Sequence, residues 1–231
     1  MLFFILTVCF LVFLFCLYKF TKDDYLFIRK NIYPEQMFDI IFIAVWLGLF
    51  LARFVSLLDH PVAGKNILPY FFSLHSGGLS LPGGVIGGLL ALSMMAKYKK
   101  VPSGRLFDFF SLAFLFTLPL GFTGYALLLR NNTSLLYFAV SLLYLTILIL
   151  FLRILYPRIM NRTIREGNVS IYFLLLFSLI SLLTLLLAPG KISADHAVFT
   201  LENILLICLF FLILVLAVKR QRTGLRGKSK K

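Results

Sequence analysis

Seven long apolar blocks limit what this chain can fold into. They run approximately over residues 2–18, 37–58, 79–96, 106–129, 134–152, 169–188 and 199–218. Each has about the length needed to cross ~30 Å of hydrocarbon at ~1.5 Å per residue. The first is short and the third is interrupted by glycines. Lys19 can snorkel at the end of the first, and glycine is tolerated in membrane helices. Of the 231 residues, 61% are hydrophobic and 14% charged, whereas soluble domains are about half apolar and a quarter charged. Surface-to-volume scaling leaves no way to hide that excess inside one globule. A soluble enzyme, a disordered chain and a disulfide scaffold are therefore excluded. Eight prolines, with no alternation of polar and apolar residues, argue against an outer-membrane barrel.

The positions of the charges then predict an orientation. The net charge is +14, but its distribution points away from nucleic acid. Of the 23 basic residues, 19 follow the first, third, fifth and seventh blocks, while Lys65, Arg130 and Lys191 stand singly in the other connections. The positive-inside rule reads this as seven helices, with the N-terminus outside and the C-terminus in the cytoplasm. The expected fold is an all-α polytopic membrane domain over residues 1–218, followed by a basic tail over 219–231 that can touch anionic lipid. The first block has no basic residues ahead of it and no clear cleavage site after it, so it is expected to be a retained helix. Cys9, Cys16 and Cys208 lie inside apolar blocks without metal-ligand or CxxC spacing and read as buried thiols.

The functional clues are the breaks in the apolar pattern, since an ionisable group at membrane depth is a functional hypothesis by default. Arg53 lies about sixteen residues into the second block, roughly 24 Å from its cytoplasmic start. Asp59, Glu202 or a lipid phosphate could pair with it, or it could snorkel to the outer headgroups. The stretch 76–88 carries Gly77, Gly78, Gly83, Gly84, Gly87 and Gly88 around Ser80 and Pro82. Gly77, Gly78 and Gly83 would let a ligand or neighbouring backbone approach closely. A helix opening near Pro82 would direct its first amides at a phosphate. Gly84, Gly87 and Gly88 also read as a small-residue packing face. His75 beside this stretch can move a proton near neutral pH. In the fourth block, Gly121 and Gly124 allow close helix packing, and Pro119 allows a kink. Asp108 near the start of that block reads as a dipole partner for its own helix. Arg53, His75, the glycines, Arg130, His196 and Glu202 all fall near the outer side, so a site would open to the outer leaflet. The sequence offers no Ser or Cys nucleophile with a His base, no metal cluster and no phosphate loop.

These residues resemble the prolipoprotein diacylglyceryl transferases. Leu49-Phe50-Leu51-Ala52-Arg53 is similar to the family's Gly-Gly-Arg, and Gly77-Gly78-Leu79-Ser80-Leu81-Pro82-Gly83-Gly84-Val85-Ile86-Gly87 to its Gly-Gly-Leu/Met-Ser-Phe-His-Gly-Gly-Leu-Ile-Gly. Phe107-Asp108-Phe109, Gly167-Asn168-Val169-Ser170 and Leu201-Glu202-Asn203-Ile204-Leu205 resemble the openings of its fourth, sixth and seventh helices. The resemblance implies a seven-helix protein of the bacterial cytoplasmic membrane. Such a protein would move the diacylglyceryl group of phosphatidylglycerol onto the lipobox cysteine of a preprolipoprotein, releasing glycerol phosphate, with no cofactor or metal. It implies a site in which Arg53 and His75 are catalytic and Gly77, Gly78, Ser80, Gly83, Gly84, Gly121, Gly124 and Arg130 bind lipid.

The departures fall on polar groups. Pro82 replaces the motif histidine. Gly121-Phe122-Thr123-Gly124-Tyr125-Ala126-Leu127-Leu128-Leu129-Arg130 stands for a signature that elsewhere holds an Arg, two Asn and a Glu. Ser181 and Leu185 fall about where the family has Arg and Glu, and the outer head segment shrinks to Arg130-Asn131-Asn132-Thr133. Losing one oxyanion donor alone can cost about 10²–10³ in rate, so Arg53 and His75 are the groups left to take over. Three readings follow: a divergent transferase, a non-catalytic relative binding phospholipid or a partner membrane protein, and a small transporter. The third is weakest, because no inverted repeat or pair of broken helices is present.

Overall fold

The computed structural model describes residues 2–22, 24–30, 32, 34–59, 79–129, 133–160, 164–187 and 201–228. These residues are helical almost throughout, and no strand occurs among them. The elements in chain order are α1 (Leu2–Lys22), α2 (Tyr25–Arg29), α3 (Pro34–Asp59), α4 (Leu81–Tyr98), α5 (Ser103–Leu128), α6 (Thr133–Leu150), a π-helical turn (Phe151–Leu155), α7 (Tyr156–Met160), α8 (Asn168–Leu187) and α9 (Leu201–Lys228). Among the described residues, six spans are long and apolar enough to cross a membrane: Phe3–Lys22, Glu35–Asp59, Leu81–Tyr98, Ser103–Leu128, Ser134–Ile159 and Leu201–Arg220.

Local sequence sets the helix ends. Pro34 opens α3, and Pro102 stands at the N-cap of α5, where a missing N–H is tolerated. The α4–α5 turn closes with Lys100 at φ 53, and Gly167 at φ +83 turns the chain into α8, a backbone region that glycine enters without steric cost. The π turn precedes Pro157, which cannot donate to residue 153. Tyr156 N–H reaches back to the Phe151 carbonyl instead.

The central helix is α5. Leu106, Phe109, Leu112, Ala113 and Leu115 are all fully buried, and α1, α4, α6 and α8 pack around them. Phe20 and Phe27 bring rings onto Phe109, and Phe173 and Phe177 bring rings onto Phe114. The tightest pairs are α3 with α4 and α5 with α6, and α9 lies against α8, α3 and α4. Outward-facing positions carry exposed Phe4, Phe15, Trp46, Met94, Leu127 and Leu135. An apolar exterior of this extent has lipid as its natural solvent.

Candidate phospholipid site

Small residues bring α3 and α4 together along the stretch that carries Arg53. A side chain on Gly87 would lie 2.8 Å from the Leu47 carbonyl oxygen and 3.0 Å from Gly48 Cα. One on Gly83 would lie 3.0 Å from the Leu51 oxygen and from Val55 Cβ. One on Gly84 would meet Ala52 Cβ at 3.5 Å. A Cβ on Gly88 would have nothing within 4 Å. The close approach at Gly83 and Gly84 is therefore made by α3. The packing face consists of Gly83, Gly84 and Gly87, with the Gly88 backbone at its edge: a Cβ on Gly48 would lie 3.7 Å from Gly88 N, while a methyl on Gly88 itself points away from α3.

Ser80 closes the top of this pair. It is fully buried, its N–H donates to the Ala52 carbonyl at 3.1 Å, and its Oγ accepts from Gly83 N–H at 3.3 Å. Gly84 N–H donates to the Ser80 carbonyl at 3.0 Å. Pro82 has no N–H to offer. The amides of Gly83 and Gly84 are thus engaged by Ser80, which accounts for these residues as parts of a capped helix start. The expectation that those two amides would face a phosphate is corrected accordingly.

Arg53 follows Ala52, so it sits beside this junction, and only 4% of it is exposed. This burial speaks against the snorkelling alternative, since the side chain is packed inside the protein. Asp59, one of the acids suggested for it, is engaged elsewhere. Its Oδ1 accepts from Leu201 N–H at 2.6 Å and its Oδ2 from Glu202 N–H at 3.1 Å, capping α9.

The glycines of α5 face α1. A Cβ on Gly124 would meet Ile5 Cγ2 at 2.6 Å, and one on Gly121 would reach Cys9 Sγ at 3.9 Å. Between them, Thr123 and Ser141 hydroxyls lie 2.7 Å apart, and both donate to the Pro119 carbonyl, tying α5 to α6. His75, Gly77, Gly78 and Arg130 lie outside the described residues, as does His196.

The lysine- and arginine-rich end holds polar structure that sequence reasoning missed. Arg105 stands among the basic residues read as topology anchors, yet it is buried. Its Nε pairs with Asp24 Oδ2 at 2.9 Å and its Nη2 donates to the Ile159 carbonyl at 3.0 Å. This joins the α1–α2 connection, the start of α5 and α7. Asp108 is corrected as well: it serves another helix and not its own. Its Oδ2 accepts from Gly167 N–H at 2.6 Å and its Oδ1 from Ser170 N–H at 2.9 Å, capping α8. Nearby, Arg220 of α9 donates to the Glu166 carbonyl. A carboxylate and an arginine in polar connections were the only signal in sequence, and 81 residues separate Arg105 from Asp24. Among the described residues, no three His, Cys, Asp or Glu side chains gather in a way that could hold a metal.

One comparison bears on this arrangement. A family model described as prolipoprotein diacylglyceryl transferase matches residues 3–126, from α1 to the last turn of α5. The match contains Arg53, the Ser80 junction and the α5 glycines, and it stops before α8 and α9. No curated protein matches the chain.

Proposed function

Because the chain belongs to the prolipoprotein diacylglyceryl transferase family, we propose that it is a divergent transferase-like membrane protein that handles phosphatidylglycerol at the Arg53 end of the bundle. The supporting observation is a guanidinium held 4% exposed beside the buried α3–α4 junction. A planar guanidinium engages phosphate through two parallel hydrogen bonds, and its charge counts for more where water is excluded. In the transfer itself, a C–S bond forms between the lipobox cysteine and the glyceryl carbon as the C–O bond to phosphate breaks. Glycerol phosphate leaves, and the thiol proton passes to a base. Arg53 then carries the charge on the departing phosphate. His75, five residues ahead of Ser80 in the chain, is the base in this reading, with Gly77, Gly78 and Arg130 lining the lipid. Ser80, Gly83, Gly84, Gly121 and Gly124 shape the site by letting helices meet.

The same reading includes seven spans in the cytoplasmic membrane of a bacterium, the seventh supplied by α8. Its 20 residues reach ~30 Å at the usual rise. The N-terminus is outside, and the basic extension of α9 lies in the cytoplasm, as the loop charges favour. A second reading has its own support. Pro82 is buried in the first turn of α4 and has no proton to move, where the family motif has a histidine. In that reading the chain binds phospholipid, or a partner membrane protein, without transfer.

The test uses purified full-length protein with labelled phosphatidylglycerol and a lipobox peptide. Wild-type transfer that falls at least tenfold in Arg53→Ala and in His75→Ala, and only partly in Arg53→Lys, supports the transferase. Binding of phosphatidylglycerol without transfer, lost in Arg53→Ala, supports the second reading. Transfer or binding untouched by Arg53→Ala removes the site.

A further inference from the structure

The surface of α3 and α4 carries a second feature, at the opposite end from Arg53. The two helices touch backbone to backbone near Gly48 and Gly87. Toward the start of α3 and the end of α4, large side chains line an open groove of about 610 Å³. Phe38, Phe42 and Ile43 face Met95 and Tyr98 across it, with Asp39 and Lys99 at its rim. The helix ends around this rim carry more cations than anions. Lys99 Nζ lies 3.4 Å from Asp39 Oδ2, and Lys97 and Lys100 flank it in sequence. Phe38 stacks on Tyr18 with centroids 6.3 Å apart, and the Lys22 ammonium sits 5.9 Å from the Tyr18 ring centre. At this end of the bundle, where α1 and α4 finish and α3 begins, the lysines Lys22, Lys97, Lys99 and Lys100 outnumber the acids Glu35 and Asp39.

From the groove an aromatic row climbs α3 at every fourth residue. Phe42 packs edge-on against Trp46 at 6.1 Å, and Phe50 and Phe54 continue the row, all four exposed. Twelve residues of helix rise ~18 Å, slightly more than half of a ~30 Å hydrocarbon core. The row is thus as long as one acyl chain's path through a leaflet, and it starts at the cationic rim. A cationic rim over an apolar track matches a ligand with an anionic head and a hydrocarbon tail.

We propose that this groove is a docking site for one anionic glycerophospholipid, separate from the Arg53 site. Its phosphate lies between Lys99 and Lys22, displacing Asp39 from Lys99. Its glycerol lies against Tyr98, and one acyl chain runs over Met95, Phe42 and Trp46. Neither the charge pattern nor the aromatic row depends on whether the protein transfers anything.

Trp46 is the only tryptophan in the chain, so its fluorescence reports this face. The full-length protein is reconstituted in phosphatidylcholine vesicles containing brominated phosphatidylserine or brominated phosphatidylcholine at equal mole fraction. Phosphatidylserine supplies the anionic head without being the transferase substrate. The brominated anionic lipid should quench Trp46 at roughly five- to twentyfold lower mole fraction, about fivefold for each lysine engaged. The Lys22→Gln/Lys99→Gln double substitution should abolish that preference. Arg53→Ala should leave it unchanged, as should Arg153→Gln on the exposed π turn. Equal quenching by both lipids overturns the proposal, as does a preference that survives the double substitution or disappears with Arg53→Ala. Shielding of Trp46 from both lipids also overturns it, since another protein or a second copy would then cover the face.

Discussion

Replacing Gly87 with alanine tests whether the α3–α4 pair is held by backbone contact. The added methyl would lie 2.8 Å from the Leu47 oxygen, 2.9 Å from Leu51 Cβ and 3.0 Å from Gly48 Cα. Ordinary contact needs ~3.4–4 Å, so α3 must retreat by about half an ångström or more. Two of the three obstructing atoms are backbone and cannot turn aside. Overpacking of this kind costs about 1–3 kcal/mol, offset by up to ~1 kcal/mol of helix propensity gained on leaving glycine. Gly88→Ala supplies the control, since its methyl meets nothing within 4 Å and only the propensity gain remains. The propensity gain is common to both, so the two variants, adjacent and chemically identical, should differ by about 1–3 kcal/mol. At ~2–4 °C per kcal/mol, thermal unfolding in detergent micelles followed by circular dichroism should separate them by roughly 2–12 °C, with Gly87→Ala the lower. Trp46 fluorescence, read from α3 itself, should move with Gly87→Ala and stay constant with Gly88→Ala. Coincident unfolding curves for the two variants would refute a contact-limited interface.

Two further outcomes follow from the buried polar groups. Arg105→Ala removes the buried cation that offsets the Asp24 carboxylate and should cost about 3–5 kcal/mol. The double variant Asp24→Asn/Arg105→Met should cost less than Arg105→Ala alone, and a double-mutant cycle with no coupling would disprove the pairing. Asp108→Ala strands the N–H groups of Gly167 and Ser170 at about 1–3 kcal/mol each, while Asp108→Asn retains an acceptor and should cost less. Hydrogen exchange at those two amides should quicken in that order, and unchanged exchange would show that the cap contributes nothing.

The long helices could be read from the apolar blocks, most ends to within a few residues, because length and hydropathy decide a membrane span with little help from neighbours. Block 106–129 became Ser103–Leu128, and block 169–188 became Asn168–Leu187. The extension of α9 to Lys228 was hidden because charged residues end an apolar block without ending a helix. The π turn was hidden as well, since one wide turn leaves hydropathy unchanged. The site was only half visible. Arg53 stood out as a cation within a span, at the same outer depth as the glycine motif. Its burial and the engagement of Asp59 with α9 depend on how helices distant in sequence pack. The partners of Arg105 and Asp108 were beyond reach for the same reason. A carboxylate in a connection carries no mark of whether it meets water, an arginine or a helix start.

The two aspartate caps carry a consequence for assembly. Asp59 and Asp108 both belong to the stretch that matches the family model, so both are in place before the last two helices leave the ribosome. Asp59 holds the start of α9 at one end of the bundle, and Asp108 holds the start of α8 at the other. A late hairpin that entered upside down would bring carbonyl oxygens to each carboxylate, and like partial charges repel. The early half of the protein therefore tests the direction of the late half, accepting only the hairpin that presents an amide end to each acid.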